Sequence, residues 1–213
     1  MNFKTLLSIA AIAAVTQVTG CTLVPVTTNL DVPVAKTASA TGPAVKIVSV
    51  TDNRKFVYPH EAGDCETPSV DSEKMLKDAD AKARAFSRQG RCTKGEWAMH
   101  TMVSLGSGKT VESVTRSTVE AGLAEAGYKM ASSDPDALPI QVSIQKFWTG
   151  NDMDGMGNLA HTWLVINLTT PTTSVNLDAS MSKKRYLGLS NPASDDMSES
   201  LTILKSKLAQ VRL

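Results

Sequence analysis

The sequence predicts an α+β fold: a four-stranded mixed, mostly antiparallel sheet with two helices packed on one face. Residues 140–145, 164–168 and 175–181 alternate apolar with polar side chains, which is typical of strands covered on one side only. Residues 111–123 and 197–211 repeat apolar side chains every three or four positions, as amphipathic helices do. The predicted order is therefore strand, insert, helix, three strands and helix.

The first strand is predicted at residues 44–51, where β-branched side chains are dense and the polar residues 52–54 follow. Residues 55–108 are predicted to form an irregular insert. One helix is expected inside it, from Ser72 to Arg88. Its apolar side would hold Met75, Ala79, Ala83 and Phe86.

The next helix is predicted to begin after Thr110, whose hydroxyl can cap the first turn. It should end at Gly127, since glycine suits the left-handed position that follows a helix, and Tyr128 would close the end as an apolar contact. A right-handed crossover through this helix makes the first two strands parallel. The face turned towards the sheet comprises Val111, Val114, Thr118, Gly122 and Leu123.

Two connections join the three strands that follow. Residues 149–160 are rich in Gly, Asn and Asp and are predicted to form a hairpin loop, and residues 170–173 form the second turn. The last helix is predicted to start at Asn191-Pro192 or at Ser194, with acidic residues in its first turn and lysines towards its end, as the helix dipole favours. Its apolar stripe is Met197, Leu201, Leu204, Leu208 and Val211.

The N-terminal segment has the features of a secretory signal. Lys4 precedes an apolar stretch at 6–15, which is too short to span a bilayer. The residues Val18-Thr19-Gly20-Cys21 resemble the bacterial lipobox, which implies cleavage after residue 20 and acylation of Cys21. The alternative is an ordinary signal peptide with a chance cysteine near its end.

The predicted mature chain has two parts, a tether at 21–43 and a single periplasmic domain at 44–213. The tether is rich in Thr, Val, Pro and Ala, and its prolines interrupt any regular period. Lipid on Cys21 would hold the chain on a membrane. By the lipobox resemblance, the absence of Asp at Thr22 favours the outer membrane over the inner one.

Cys65 and Cys92 remain once Cys21 is acylated, and an oxidising compartment favours a disulfide between them. That bond would close a loop of about 27 residues and stabilise the fold by roughly 3.5 kcal/mol. The alternatives are two free thiols or a metal pair, although the chain has no Cys-x-x-Cys spacing.

Several short strings resemble the YajG-type bacterial outer-membrane lipoproteins, a poorly characterised family. They are residues 50–54 at the end of the first strand, residues 110–112 and 123–128 at the two ends of the first long helix, and residues 144–148 on the next strand. The resemblance spans about 45–210 and brings no catalytic residues with it.

Other motifs do not predict a catalytic or metal site. Gly108-Lys109-Thr110 ends like a phosphate-binding loop, but Val103 stands where that motif needs glycine. Residues 151–155 resemble a calcium loop, yet His161 occupies the final ligand position, where Glu belongs. The remaining histidines, His60 and His100, lie far apart in sequence. We therefore expect no cofactor and no metal. A net charge of +1 gives no field that would attract nucleic acid.

These observations predict a non-enzymatic, outer-membrane-anchored periplasmic lipoprotein that serves as an interaction or envelope-assembly accessory protein. Its partner would be an unidentified periplasmic protein or the cell wall. The alternative is a glycan, peptide or small-molecule binding module that uses the exposed sheet face, with Trp148 and Trp163 as candidate contacts. A hydrolase would require a serine, a histidine and a carboxylate to converge in the fold.

Overall fold

The computed structural model describes residues 26–35, 41–58, 65–89, 101–106, 108–154, 157–186 and 193–213. The strands are β1 Val26–Thr28, β2 Ala44–Asp52, β3 Ala85–Gln89, β4 Thr101–Leu105, β5 Lys129–Met130, β6 Leu138–Asp154, β7 Gly157–Thr169, β8 Ser174–Asp178 and β9 Met181–Tyr186. The helices are α1 Glu73–Lys77, α2 Ala79–Arg84, α3 Val111–Glu125 and α4 Ala193–Leu208. The α+β class is confirmed, but over the described residues the sheet has nine strands rather than four.

The long hairpin of β6 and β7 is the centre of the sheet, and the two strands pair antiparallel from Gln141 opposite Thr169 to Asp154 opposite Gly157. On the outer side of β6, β2 pairs in parallel with its first half, and β3 meets it at Thr149. On the outer side of β7, β9 pairs with its first half and β8 with its second. The parallel pairing predicted for the first strand and the strand after the helix is confirmed.

Helix α3 forms as its sequence predicts. The Thr110 hydroxyl accepts a hydrogen bond from the Ser113 amide, and the Thr110 amide donates one to the Ser113 hydroxyl, which completes a capping box. After the helix, Gly127 has a φ of 96°, and the Tyr128 amide donates to the Leu123 carbonyl. This arrangement is the left-handed helix end expected of glycine.

Helices α3 and α4 pack against each other and against one face of the sheet, here called the helix face. Their contact is close, because a methyl group on Gly122 would lie 2.4 Å from Cβ of Leu208. The predicted stripe on α4 is buried throughout. With the inward residues of β6 and β7 it forms the main core, whose largest fully buried members include Phe147, Ile140, Ile144, Leu164, Ile166, Met197, Leu201 and Leu204.

The insert predicted to be irregular contains regular structure. The helix predicted from Ser72 to Arg88 is interrupted at Asp78 and is wrong from Ala85 onward. The chain forms α1 and α2 and then β3, which pairs with β4. The change follows from tertiary contacts: Phe86 enters the main core, and the Arg88 guanidinium lies 2.8 Å from Asp71. Burial lowers the pKa of Arg88, and Asp71 opposes that shift.

The tether predicted at 21–43 is not free over its described part. Strand β1 pairs in parallel with β4, and Leu30 is buried in the main core. The amide of Asp31 also donates to the Ser198 hydroxyl on α4. Pairing with a strand of the insert, which the sequence did not reveal, accounts for this difference. The predicted signal segment at 1–20 and Cys21 lie outside the described residues.

Two further predictions about the strands are wrong. The loop predicted at 149–160 is mostly strand, because β6 continues to Asp154 and β7 begins at Gly157, where β9 supplies a second neighbour. The strand predicted at 175–181 is divided between β8 and β9. Between them, the Asp178 carboxylate accepts the Ser180 amide in a local turn that ends β8.

Candidate functional site

The sheet face opposite α3 and α4, here called the outer face, is divided into two regions. Over β3, β4 and the middle of β6 it carries a second apolar cluster of Val70, Ala85, Met102 and Trp148, with Phe56, Met75, Leu76 and Trp163 packed against it. Over β2, β8 and the ends of β6 and β7 that pair with them, most outward side chains are polar, although Val48 at the bulge of β2 is also exposed. The insert therefore covers one region and leaves the other accessible.

The accessible region consists of two rows of uncharged polar side chains, which we call the open face. Strand register places one residue from each of β2, β6, β7 and β8 side by side in each row. Side chains at these positions point away from the helices, because the residues between them belong to the main core. The first row is Ser49, Gln141, Thr169 and Ser174. The second row is Thr51, Ser143, Asn167 and Asn176.

The open face presents only hydroxyl and amide groups, and five of its eight residues are exposed. Among the described residues, one side-chain hydrogen bond joins two members of the face, from the Ser174 hydroxyl to the Asn167 side chain over 3.1 Å. Ser143 also accepts hydrogen bonds from the side-chain amides of Asn53 and Gln145, which lie beside the face. Much of the donor and acceptor capacity of these side chains is therefore available to a partner. Depletion of charge is also a feature of the centre of protein interfaces.

The open face ends at a groove of about 360 Å³, close to the lower limit for ligand pockets. Its floor is the end of β2 and the bulge of β6, and its wall is the segment that follows Cys65. Lys146 forms an ion pair with Glu66 across it. The groove is lined by Asn53, Lys55, Glu66, Thr67, Pro68, Gln145 and Lys146.

Asp52 and Arg54 hold the insert against the sheet beside this groove. The side chain of Arg54 is fully buried and lies 2.6 Å from the Asp52 carboxylate. It also donates to the carbonyls of Lys82, Ala85 and Phe147, so it joins β2, α2, β3 and β6. Every partner of this arginine is internal, and we assign it a structural role.

The two tryptophans proposed as ligand contacts lie side by side on the outer face, since Trp148 pairs with Trp163 across β6 and β7. Trp148 is only 2% exposed and meets Phe56 edge to face. Trp163 is half-buried and stacks on His161 with ring centroids 5.4 Å apart. Of the pair, Trp163 has more surface that a ligand could reach.

A serine, a histidine and a carboxylate do converge beside Trp163, as a hydrolase would require. Nδ1 of His161 lies 2.7 Å from the Ser182 hydroxyl, and Nε2 lies 3.4 Å from Asp152. The second distance exceeds that of a good hydrogen bond, so the carboxylate does not fix the ring as an orienting partner does. Ser182 is also exposed on a strand surface. We therefore interpret Ser182, His161 and Asp152 as surface contacts and not as a catalytic group.

The predicted disulfide falls partly on the described residues. Cys65 is disulfide-bonded, and its sulfur lies 2.7 Å from an oxygen of Asp152 on β6. Cys92 lies outside the described residues, so its pairing with Cys65 stays a prediction, as do the predictions that concern His60 and His100. The described part of the chain contains no group of three or more His, Cys, Asp or Glu side chains arranged to hold a metal ion.

The sequence predicted the polar strand faces but did not predict the groove. Alternation along β6, β7 and β8 was the signal for the open face. The groove depends on the segment after Cys65, which has no regular pattern, and nothing in the sequence indicated its position. Among the described helices, none combines the length and apolarity needed to cross a bilayer.

Comparison with known proteins leaves the function open. No protein-family model matches the chain, and no curated protein shows significant sequence similarity to it. A crystal structure of an uncharacterised protein has a TM-score of 0.41 and 12% identity, and the match covers 87% of this chain and 92% of the other. A protein from Xanthomonas campestris in the family DUF330 has a TM-score of 0.41 and 13% identity, with 86% and 92% covered. At these values neither structure bears on function.

Proposed function

We propose that this protein is a non-enzymatic lipoprotein of the YajG type, anchored in the outer membrane through lipid on Cys21, whose domain binds a partner in the periplasm. The observation that carries the binding role is the open face. Eight uncharged polar side chains form two rows across four strands, and most of them are exposed. A sheet surface of this composition offers hydrogen bonds with little penalty for desolvating charge.

The anchor and the face support the same role. A diacylated or triacylated cysteine binds a membrane stably, whereas one chain does so only marginally. A protein anchored in this way can bind only partners that lie close to the membrane. A flat surface such as the open face suits a macromolecular partner better than a small ligand, which would need a deep cavity. The partner is therefore a periplasmic protein or the cell wall itself.

A photo-crosslinking amino acid incorporated into the full chain in living cells tests the binding role. Positions Gln141 and Asn176 place the crosslinker on the open face, and Thr202 on α4 and Gln210 just after it serve as exposed controls on the opposite side. We expect the same discrete adduct from both open-face positions and not from the controls. Adducts of equal yield from all four positions, or none from the open face, would refute the proposal.

The second candidate function, a glycan or peptide binding module, is favoured by Trp163. Its half-buried ring continues the outer face beyond the row of Lys146, Val165 and Asp178. Aromatic rings that are partly accessible and flanked by polar groups are common contacts for such ligands. Titration of the full chain with glycan fragments, followed by tryptophan fluorescence, tests this role. Because the chain has three tryptophans, the change expected on binding should be lost in Trp163→Phe, and unchanged fluorescence of the wild type at the highest fragment concentration would remove this role.

A further inference from the structure

The groove at the end of the open face differs from that face in one respect, which is charge. Lys146 is neutralised by Glu66 across the groove. Lys55 is exposed and forms no salt bridge with any described residue. The groove therefore carries one uncompensated positive charge beside a surface that has none.

The other polar groups of the groove are amides arranged around one hydroxyl. The side-chain amides of Asn53 and Gln145 both donate to the Ser143 hydroxyl oxygen. Each amide keeps its carbonyl oxygen and a second N–H, and the Ser143 hydroxyl keeps its own proton. A ligand here would meet donors and acceptors in alternation, which suits hydroxyl or amide groups better than an apolar body.

From this placement we propose that the groove binds a carboxylate attached to hydroxyl or amide groups, with Lys55 as the carboxylate contact and Asn53 and Gln145 as contacts to the neutral part. The inference rests on the proposed binding role of the open face, because the remainder of the ligand would extend across Thr51 and Ser143. An acidic sugar and the C terminus of a peptide share this chemistry.

Two pairs of probes distinguish an acidic sugar from a peptide C terminus, and each pair compares a carboxylate with its neutral analogue. N-acetylmuramic acid is compared with N-acetylglucosamine, which has the same ring without the carboxylate. N-acetyl-alanyl-alanine is compared with its C-terminal amide. Binding to the full chain in detergent is measured by isothermal titration calorimetry. We expect one of the two acids to bind at least about tenfold more tightly than its neutral analogue, which is the difference that one charged contact supplies.

The variants Lys55→Met and Lys129→Met then locate the site. Lys129 is an exposed lysine on β5, which pairs with the opposite end of β2. Lys55→Met should reduce the affinity for the acid to that of the neutral analogue, and Lys129→Met should leave it unchanged. Equal binding by Lys55→Met and the wild type would overturn the inference, as would equal binding of acid and neutral probes, or no binding by any probe. If the groove fails these tests but Asn176 still gives a discrete crosslinked adduct in cells, the proposed binding role of the open face stands and only the groove proposal is wrong.

Discussion

Replacement of Arg54 by methionine removes the side chain that joins the insert to the sheet. The substitution leaves the Asp52 carboxylate, whose side chain is only 16% exposed, without its cationic partner. It also leaves the carbonyls of Ala85 and Phe147 without the donors they meet at 2.6 and 2.9 Å. Breaking a buried ion pair from one side costs about 3–5 kcal/mol, and the carbonyls raise rather than lower that figure.

Urea unfolding followed by far-ultraviolet circular dichroism measures this loss. A suitable control is Arg116→Met. The Arg116 guanidinium lies 3.9 Å from Glu120 with both side chains well exposed, and it donates to one carbonyl, that of Ile47, whereas Arg54 donates to three. Exposed pairs contribute about 0–1 kcal/mol, so the two arginine variants should differ by at least about 2 kcal/mol. If Arg54→Met loses no more unfolding free energy than Arg116→Met, the structural role assigned to Arg54 is wrong.

Three other predictions follow from single contacts. Gly122→Ala would normally favour a helix, but its methyl group would lie 2.4 Å from Cβ of Leu208. Thermal unfolding should therefore show a loss of about 1–2 kcal/mol in the free energy of unfolding, and a more stable variant would contradict the packing. The Ser180 hydroxyl, helped by its amide and by nearby lysines, lowers the pKa of Asp178. A carboxyl with a lowered pKa in the folded state stabilises that state above the unfolded value of about 3.9 and loses this effect as the pH falls below it. The difference in unfolding free energy between wild type and Asp178→Asn should therefore shrink from pH 7 towards about pH 3, and a constant difference would refute the assignment. A fluorophosphonate probe should not label the full chain at Ser182, because Asp152 does not orient His161; labelling that is lost in Ser182→Ala would instead establish a reactive serine.

The elements that the sequence predicted well are those whose own residues determine them. Helix α3 is delimited by the Thr110 cap and by Gly127, and both signals are local. The stripe on α4 and the alternation along β6 and β7 follow from one face being buried. At these positions the local sequence pattern matches the burial seen in the fold, so the pattern alone predicted the secondary structure.

The elements that the sequence did not predict depend on distant partners. Residues 85–89 have helix-forming neighbours, yet they become β3 because β4 and Thr149 offer pairing. Strand β1 forms only beside β4. Strand β9 pairs with the first half of β7, which begins inside the segment 149–160 whose Gly, Asn and Asp would otherwise suit a loop. The groove likewise requires the segment after Cys65 to fold over β6. Long-range pairing is not visible in a local window, and tertiary contacts override local propensity there.

Lipid on Cys21 is what would hold this domain at the membrane and facing the periplasm, and the mass of the N-terminal peptide shows whether that lipid is present. The full chain is purified from cell envelopes, digested and analysed by mass spectrometry beside the Cys21→Ser variant. We predict a peptide that begins at Cys21 and carries two or three acyl chains, and loss of the variant from the membrane fraction. A mature chain that begins elsewhere, or a Cys21 with a free thiol, would contradict the account.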